Sequence, residues 1–424
     1  MANAAPGPRL RDVNRIAVLA LVGRHGPISR ADVARRLGLS PATVTAVTRS
    51  LMEAGVIHKV DDEQSRGGRP GELLAVAGNA AVAIGVKVAS GRLTGVRADL
   101  DGTVRETFSA PFDERSTNPF EALATLLAPH LSSTDGVRVL GIGLGVPGFV
   151  DARTGQVQAP LLGWRNMPLA QYLSQLLDVP VLVDNDVNTL GAYEHLYGLG
   201  RSYTDFLTLT LGLGVGAAVV CGGDLRRGGH GAAGELGHVP VDPAGPLCHC
   251  GKRGCLEQYV RDAALVAQAR AAGADVDSPA QLLALAEAGD TTVREIYRSA
   301  GARLGTVVAG LAAVLDPQAI LVSGEGTAAW PHLAGGFLPA LREGLFPPLA
   351  DALNVFVDPW DDTKWALGAA ALVLRAPFTS ADDPHADAIR ARLAAFPGAE
   401  RTHAAPLVEQ TRTSEGAPVE VSGW

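Results

Sequence analysis

The segment that most restricts how this chain can fold is residues 234 to 257, GELGHVPVDPAGPLCHCGKRGCLE, which holds three of its four cysteines. Nine residues separate His238 from Cys248, one separates Cys248 from Cys250, and four separate Cys250 from Cys255. One imidazole and three thiolates form a closed tetrahedral set for zinc, with no position left for a catalytic water. The spacing therefore predicts a structural zinc site that fixes a long loop.

Two other features of this loop bear on the metal prediction. Gly251 and Gly254 lie between the ligands and are expected to let the chain fold back tightly. His249 is a competing ligand, and free buried cysteines are the alternative to a metal site. Cys221 lies outside the cluster and is interpreted as a small apolar residue of a strand.

The composition indicates a globular chain of two or three domains. With 424 residues, 47% hydrophobic and 19% charged, the chain can bury a large core. No apolar run approaches the roughly 18 to 20 residues that span a bilayer, and the N-terminal residues lack the order of a secretory signal. These features predict a cytoplasmic protein with no membrane partner. A reducing compartment favours a metal over disulfides as the reason for the clustered thiols.

The net charge of −8 hides an asymmetry between the two ends of the chain. Residues 1 to 75 hold 11 Lys and Arg against 7 Asp and Glu, whereas the remainder holds 25 against 37. A small basic front therefore precedes a large acidic body. This split favours a front module that contacts a polyanion.

The front module has the pattern of a helix-turn-helix. Residues 12 to 24 carry apolar residues at helical spacing and end at Gly26-Pro27. Ser29 is expected to cap a second helix that ends at Gly38. Ser40 is expected to cap a third helix, with a proline at its first position. The second of two short capped helices joined by a glycine turn would lie in the major groove of DNA.

The strands expected after these helices form a wing. Residues 56 to 60 and 73 to 76 predict two strands, and the turn between them contains the glycine-flanked arginines Arg66 and Arg69, which suit a narrow minor groove. A three-helix packing domain with a solvated arginine loop is the alternative. The residues expected to face DNA are Ser40, Ala42, Thr43, Thr45, Ala46, Thr48, Arg49, Arg66 and Arg69.

The larger part of the chain that follows contains the same pattern of predicted strands and turns twice. AVAIGVKVASGRLTGVRADLDGTV and, roughly 120 residues later, DFLTLTLGLGVGAAVVCGGDLRRG both read as strand, glycine turn, strand and turn. Helical stretches and further strands follow each copy. Such repetition predicts two α/β lobes with a ligand-binding cleft.

These segments together resemble the ROK family of repressors and sugar kinases, over about residues 12 to 375. The resemblance implies a winged helix-turn-helix at residues 1–78 and a two-lobe, actin-like (ribonuclease-H-like) α/β domain of ATPase type at residues 79–376. A largely disordered tail at 377–424 is expected, with one short helix near 386–396. The spacing of the four metal ligands matches the ROK zinc motif.

The resemblance also implies a sugar site. Glu235, His238 and Glu257 match ROK residues that bind the sugar, and hydroxyl groups need both donors and acceptors. In VDNDVN, Asn185 and Asp186 match sugar contacts, and the kinases use the residue matching Asp186 as the general base. GVPGFVD (145–151) and APLLGW (159–164) resemble substrate-side segments. Leu161 replaces an asparagine that contacts the sugar in many relatives, which leaves the sugar class open.

The two glycine turns, which bind the nucleotide phosphates in ROK kinases, differ in sequence from those of the kinases. Where they have Asp-x-Gly-Gly-Thr, this chain has Lys87, Ala89, Ser90 and Gly91, and the second glycine turn has Leu213 in place of a hydroxyl residue. Loss of the magnesium-side carboxylate removes transition-state stabilisation, so no kinase activity is expected and Asp186 is interpreted as a vestigial base.

The sequence thus predicts a sugar-responsive transcriptional regulator, a repressor of carbohydrate genes. Its partners would be operator DNA and a sugar or sugar phosphate, and it would act as a homodimer or homotetramer on an inverted repeat. The alternatives are an active ATP-dependent sugar kinase with a fused DNA-binding module, and a zinc sensor without a sugar ligand.

Overall fold

The protein is described by a computed structural model. It covers residues 10–61, 72–132, 137–151, 154–358, 360–361, 363–378, 387–389, 392–393 and 419–420. The first part of the chain forms three helices and a three-stranded sheet. Its elements are α1 (Leu10–His25), β1 (Ile28–Ser29), α2 (Arg30–Leu37), α3 (Pro41–Glu53), β2 (Ile57–Asp61) and β3 (Glu72–Val76).

Local capping sets the bounds of α2 and α3, as the sequence predicts. The side chain of Ser29 accepts the N–H of Asp32 at 3.1 Å, and that of Ser40 accepts the N–H of Thr43 at the same distance. Gly38 ends α2 in the left-handed conformation, with a φ of 63°. Each serine satisfies an N–H that the first helical turn leaves without a partner, so the two helices begin where their caps stand.

The two strands predicted for the wing are also present. β2 and β3 pair antiparallel from Ile57 opposite Val76 to Asp61 opposite Glu72, and β1 adds to the other edge of β3. Six apolar residues in the core of this module are at most 1% exposed. They are Val18, Val22, Val33, Val44, Leu51 and Leu74.

The body contains the remaining helices and strands. In chain order they are β4 (Val82–Ala89), β5 (Arg92–Asp99), β6 (Val104–Pro111), α4 (Pro119–Leu131), β7 (Val139–Val146), β8 (Phe149–Val150), β9 (Val157–Ala159), β10 (Trp164–Met167), α5 (Leu169–Leu177), β11 (Val181–Asn185), α6 (Asp186–Leu196), β12 (Phe206–Leu211), β13 (Val215–Cys221), β14 (Asp224–Leu225), α7 (Glu257–Val260), α8 (Asp262–Ala271), α9 (Pro279–Glu287), α10 (Thr291–Leu315), β15 (Ala319–Ser323), α11 (Trp330–Glu343), α12 (Pro347–Ala352), β16 (Asn354–Val357), α13 (Thr363–Arg375) and β17 (Val419–Glu420).

The chain divides into two compact units. The first comprises the described residues within 1–148, 153–186 and 365–411, and therefore includes the helix-turn-helix module. Its main sheet has the order β11-β7-β4-β5-β6. β11, β7 and β4 are parallel, whereas β4, β5 and β6 form an antiparallel meander.

The second unit comprises the described residues within 149–152, 187–364 and 412–424. Its sheet has the order β14-β13-β12-β15-β16-β17, with β12, β15 and β16 parallel. The long helix α10 packs closely on α11, because Gly301 and Gly336 have no side chain to hold the helices apart. A Cβ atom on Gly336 would lie 1.8 Å from the carbonyl oxygen of Arg298.

The duplicated hairpins predicted from the sequence are confirmed as the antiparallel pairs β4–β5 and β12–β13. The domain boundaries at residues 78 and 376 stay predictions. Most of the predicted tail lies outside the described residues, although 387–389 and 392–393 are helical and β17 pairs with β16. Within the described part of the chain, no helix combines the length and apolarity needed to cross a bilayer.

Candidate functional site

The loop after β14 is held against β13 in the second unit. The N–H of Ala217 donates to the carbonyl of Gly234 at 2.9 Å. A Cβ atom on Gly234 would lie 1.8 Å from the carbonyl oxygen of Ala217, and one on Gly237 would lie 2.2 Å from that of Val215. These close approaches fix the backbone on either side of Glu235, and a single 3-10 turn over Leu236–His238 follows.

The four predicted metal ligands converge at the end of this loop. One ring nitrogen of His238 and the Sγ atoms of Cys248, Cys250 and Cys255 all lie within 4.8 Å of one another. The Sγ atom of Cys250 is 3.6 Å from that of Cys255, and the Nδ1 atom of His238 is 3.5 Å from the Sγ atom of Cys248. A zinc ion with tetrahedral bonds separates two thiolates by roughly 3.7 Å, whereas a disulfide joins them at about 2.05 Å. The donor set therefore fits a tetrahedral metal ion.

The two glycines between the cysteines have the role that the sequence predicts. Gly251 and Gly254 have φ values of 88° and 63°, which favour glycine. The N–H of Gly251 donates to the carbonyl of Cys248 at 2.9 Å, closing a tight turn. At Gly254, a Cβ atom would lie 1.6 Å from the carbonyl oxygen of Asp242. The chain can therefore reverse twice within eight residues and return Cys255 to the other ligands.

His238 presents its two ring nitrogens to different groups. Nδ1 faces the thiols, while Nε2 lies 3.7 Å from Oε2 of Glu235. Burial lowers the pKa of His238, which favours the neutral imidazole that a metal requires. The structure thus brings Glu235 to the open side of the ring, as the sequence predicts.

Glu257 approaches the same cluster from the start of α7. Its side chain is buried, and Oε1 lies 3.8 Å from Sγ of Cys248 and 3.2 Å from Nδ1 of His249. A second ligand set, formed by His238, His249 and Glu257, also has the spacing of a metal site. Glu235, His238 and Glu257 therefore lie around one cluster, with His249 as their neighbour.

The other two predicted sugar contacts lie in the first unit. Asn185 ends β11, and its Nδ2 atom donates to the carbonyl of Gly148 at 2.9 Å. Asp186 begins α6 and forms an ion pair with Lys87, whose side chain is 16% exposed. The same ammonium lies 4.5 Å above the centre of the Trp365 ring. Thus Asp186, which the sequence predicts to match the kinase base, is paired with Lys87.

The first glycine turn, between β4 and β5, holds an internal carboxylate. The hydroxyl of Ser90 donates to Oε1 of Glu114 at 2.5 Å, and the N–H of Gly91 donates to Oε2 at 2.9 Å. Glu114 is buried, and the hydrogen bond from Ser90 lowers its pKa. The indole of Trp164 holds the backbone of Glu114 through a 2.9 Å bond to its carbonyl. An anion of the chain itself therefore occupies the donors of this turn.

The second glycine turn, between β12 and β13, also lies against a carboxylate. A Cβ atom on Gly212 would lie 2.6 Å from Oε2 of Glu325, so the acid is in contact with the backbone of the turn. Leu213 is 81% exposed at its tip. The sequence did not single out Glu114 or Glu325, because each reaches its turn from a distant part of the chain and no local spacing marks it.

The outer face of α3 is exposed as predicted, with one correction. Ser40, Ala42, Thr45, Ala46 and Arg49 are exposed, and Thr43 is partly exposed. The expectation that Thr48 faces DNA is wrong. Its side chain is fully buried, and its hydroxyl accepts the Nε–H of Arg30 at 3.1 Å. The predicted wing contacts Arg66 and Arg69 lie outside the described residues.

Known protein families and curated proteins match this chain over most of its length. The ROK family pattern matches residues 82–376, and a winged helix-turn-helix DNA-binding pattern matches residues 11–58. The chain is 30% identical over 383 residues to the DNA-binding transcriptional dual regulator NagC of Escherichia coli K12, covering 87% of this chain and 93% of NagC. It is 26% identical over 369 residues to the xylose repressor of Bacillus spizizenii, covering 86% and 96%.

Solved structures of ROK proteins are also similar to this chain. A ROK family transcriptional regulator homologous to the E. coli MLC protein superposes with a TM-score of 0.79 at 27% identity, covering 91% of this chain and 99% of that one. A Streptomyces griseus ROK glucokinase, solved with glucose and AMPPNP, has a TM-score of 0.60 at 29% identity, covering 69% and 99%. The predicted α/β, actin-like fold class with its winged module is confirmed. The chain belongs to the ROK family and carries a winged helix-turn-helix module ahead of its ROK body.

Proposed function

We propose that the protein is a sugar-responsive DNA-binding transcriptional regulator that represses carbohydrate genes. The observation that carries the proposal is the exposed face of α3, a capped helix with a wing behind it, on a chain whose body is of the ROK type. Helices presented in this way enter the major groove of DNA. The similarity to NagC and to the xylose repressor extends over nearly the whole of those proteins, which supports the same role.

The cluster in the second unit is proposed to hold a structural zinc ion. His238, Cys248, Cys250 and Cys255 supply four donors of the kind zinc prefers, at separations that suit tetrahedral coordination. With four protein ligands, the ion would cross-link the loop rather than activate a water. Its function would be to fix one nitrogen of His238 and so hold Glu235 and Glu257 in a constant arrangement.

That arrangement is proposed to bind the sugar. Glu235 and Glu257 offer acceptors for hydroxyl protons, and Nε2 of a metal-bound His238 offers a donor. Asn185 and Asp186 of the first unit stay predicted contacts, from the family resemblance. Two relatives are named as N-acetylglucosamine and xylose repressors, and the similar glucokinase was solved with glucose. N-acetylglucosamine, xylose, glucose and their phosphates are therefore the first compounds to test.

Phosphoryl transfer is not part of the proposed function. A kinase base must be free to accept a proton, but Asp186 is paired with Lys87. Nucleotide phosphates need open backbone donors, yet Glu114 occupies one glycine turn and Glu325 contacts the other. Like charges in these turns oppose phosphate binding. The alternative, an active sugar kinase, is favoured by the retention of Asp186 and by the similarity to the Streptomyces griseus glucokinase.

The assembly and compartment are proposed as well. A homodimer or homotetramer would place two α3 helices on an inverted repeat, at half-sites one or more helical turns apart. The cytoplasm is the compartment in which such a regulator meets its operator and in which unpaired thiols stay reduced.

One experiment tests the proposal. The purified protein selects an operator from a random duplex library, and fluorescence anisotropy then gives the Kd for that operator at fixed salt, with and without each sugar. A coupling of about 1 to 3 kcal/mol, which is roughly a five- to 150-fold change in Kd, is expected for one sugar. Failure to select any DNA, or no change in Kd with the full panel, overturns the proposal. ATP and magnesium with the responding sugar should give no phosphorylated product, and product formation would establish the kinase.

A further inference from the structure

Lys87 of the first unit contacts two residues of that unit, Asp186 and Trp365, each in the first turn of a helix. It lies near the end of β4, where its ammonium pairs with Asp186, the first residue of α6. The ammonium also lies above the ring of Trp365, in the first turn of α13. A cation held between a carboxylate and an aromatic face is stabilised by both, so a change at one partner alters its interaction with the other.

α13 is seated directly on the strand that carries Lys87. A Cβ atom on Gly85 of β4 would lie 2.0 Å from the carbonyl oxygen of Ala366, and one on Gly143 of β7 would lie 1.8 Å from that of Ala369. Residues 366–375 are all buried. Backbone-to-backbone contact leaves no side chains that could take up a small shift, so displacement of β4 and displacement of α13 are coupled.

The far end of α13 leads to the DNA-binding module. The helix continues into a 3-10 turn at Ala376–Phe378, which packs against α1. α1 in turn packs on α3, which carries the exposed face proposed to contact DNA. A continuous series of packed elements therefore runs from Asp186 through Lys87, α13 and α1 to α3.

We propose that Lys87 is the positioning residue that reports sugar binding at Asp186 to the DNA-binding module. This proposal rests on the proposed function, in which Asp186 contacts the sugar. A sugar hydroxyl that donates to the carboxylate of Asp186 competes with Lys87 for the same acceptor oxygens. The ammonium of Lys87 then moves away from Asp186 and closer to the ring of Trp365. The two positions of Lys87 are the two states that the sugar selects between, and α13 passes the difference to α1.

The test substitutes Lys87→Met, which removes the charge and keeps the aliphatic stem over Trp365. The measured quantity is the ratio of operator Kd values with and without the sugar that acts on the wild-type protein, and calorimetry measures sugar affinity in parallel. Sugar and operator are still bound, but the ratio falls to within about twofold of one. Lys87→Arg keeps the charge and retains most of the response.

A matched control separates this effect from the loss of any partly buried ion pair. Arg105→Met breaks the contact between Arg105 Nε and Asp99 Oδ1, 2.5 Å long, in the same sheet. The sugar response of this variant stays intact. A full response in Lys87→Met overturns the inference and leaves the proposed function standing, whereas a wild-type protein without any response overturns the function itself.

A second variant tests the inference if Lys87→Met does not fold, or if it no longer binds the sugar or the operator. Trp365→Leu leaves the Lys87–Asp186 pair in place and removes the aromatic face. If Lys87 acts through α13, this change lowers the sugar response by about fivefold or more, which is the size expected for a loss of coupling. The affinity for the sugar itself changes by less than about threefold, which is below that size. An unaltered response in Trp365→Leu refutes the relay.

Discussion

The Nδ1 atom of His238 lies 3.5 Å from the Sγ atom of Cys248, so one edge of the imidazole is turned towards the thiols. The opposite edge, with Nε2, faces Glu235. One side chain is therefore shared by the metal cluster and the proposed sugar site. If the proposed metal is removed, the ring should be free to rotate, and the proposed sugar contacts should no longer be held in one arrangement.

Substituting Cys250→Ser should remove the metal and weaken sugar binding together. Cys250 is an exposed ligand, so its loss leaves no cavity, and three remaining donors hold zinc less tightly. Elemental analysis should give about one zinc per chain in the wild type and much less in the variant. Calorimetry with the responding sugar should show a parallel loss of affinity.

Cys221→Ser is the matched control, because Cys221 is the fourth cysteine and is not part of the cluster. Zinc content and sugar affinity should both stay at the wild-type level in this variant. A Cys250→Ser protein that lacks zinc but binds the sugar as tightly as the wild type contradicts the positioning role of the metal.

The features that the sequence predicts well are those encoded within a few residues. Ser29 and Ser40 cap α2 and α3 because a serine and the N–H that it accepts are three positions apart in the chain. The convergence of His238 with the three cysteines is similar, since the four residues lie within 18 positions of the chain. Short sequence separation leaves few alternative arrangements, so pattern and structure agree.

Features that depend on distant contacts were not predictable. Lys87 meets Asp186 from 99 positions away, and Glu114 reaches the Ser90 turn across 24. Thr48 was expected to face DNA because helical spacing alone does not reveal a partner on α2. Its buried hydroxyl is satisfied by the donor that Arg30 supplies and by the carbonyl of Thr45, to which it donates.

Thr48→Val should destabilise the winged module without altering a DNA contact. Valine has nearly the same shape but cannot accept the bond from Arg30, so the guanidinium is left partly unsatisfied. A loss of about 1 to 3 kcal/mol in the free energy of unfolding is expected. Urea denaturation measures it.

The exposed Thr45→Val is the matched comparison for this change. It should alter operator affinity while leaving stability nearly unchanged, since its exposed hydroxyl donates to the carbonyl of Pro41 within the same helix. If Thr48→Val leaves the denaturation midpoint unchanged, the buried bond is not the structural feature inferred for it.

Arg49→Ala should weaken DNA binding uniformly across sequences. Arg49 lies in the later part of α3, where side chains meet phosphates more often than bases. Loss of one phosphate contact lowers the slope of log Kd against log salt by about 1. Arg298→Ala, on α10 of the second unit, also removes an exposed positive charge and should leave the slope unchanged. A change in sequence preference in Arg49→Ala would instead assign the residue to base recognition.

A buried acid in the second unit should make stability depend on pH. Glu194 of α6 is fully buried, and its Oε2 atom accepts the N–H of Leu199 at 2.9 Å. Asp358 lies beside it and pairs with Lys364 at 2.5 Å. Burial, followed by the charge of Asp358, raises the pKa of Glu194 to about 8 from its ordinary 4.5. At neutral pH the folded protein therefore holds this carboxyl in its neutral form.

The sign of the pH effect follows from that shift. Between pH 4.5 and about 8 the folded chain keeps the proton that the unfolded chain has released, so raising the pH through this range lowers the free energy of unfolding. Glu194→Gln keeps a neutral group of the same size, and its stability should fall less over the same interval. Glu343→Gln, an exposed site on α11, should follow the wild-type curve. Urea denaturation of all three proteins at about pH 5, 6.5 and 8, which covers most of the interval between the ordinary and the raised pKa, makes the comparison. Parallel curves for Glu194→Gln and the wild type would mean that Glu194 is ionised in the folded state, because only a group whose protonation differs between folded and unfolded chains contributes to the slope.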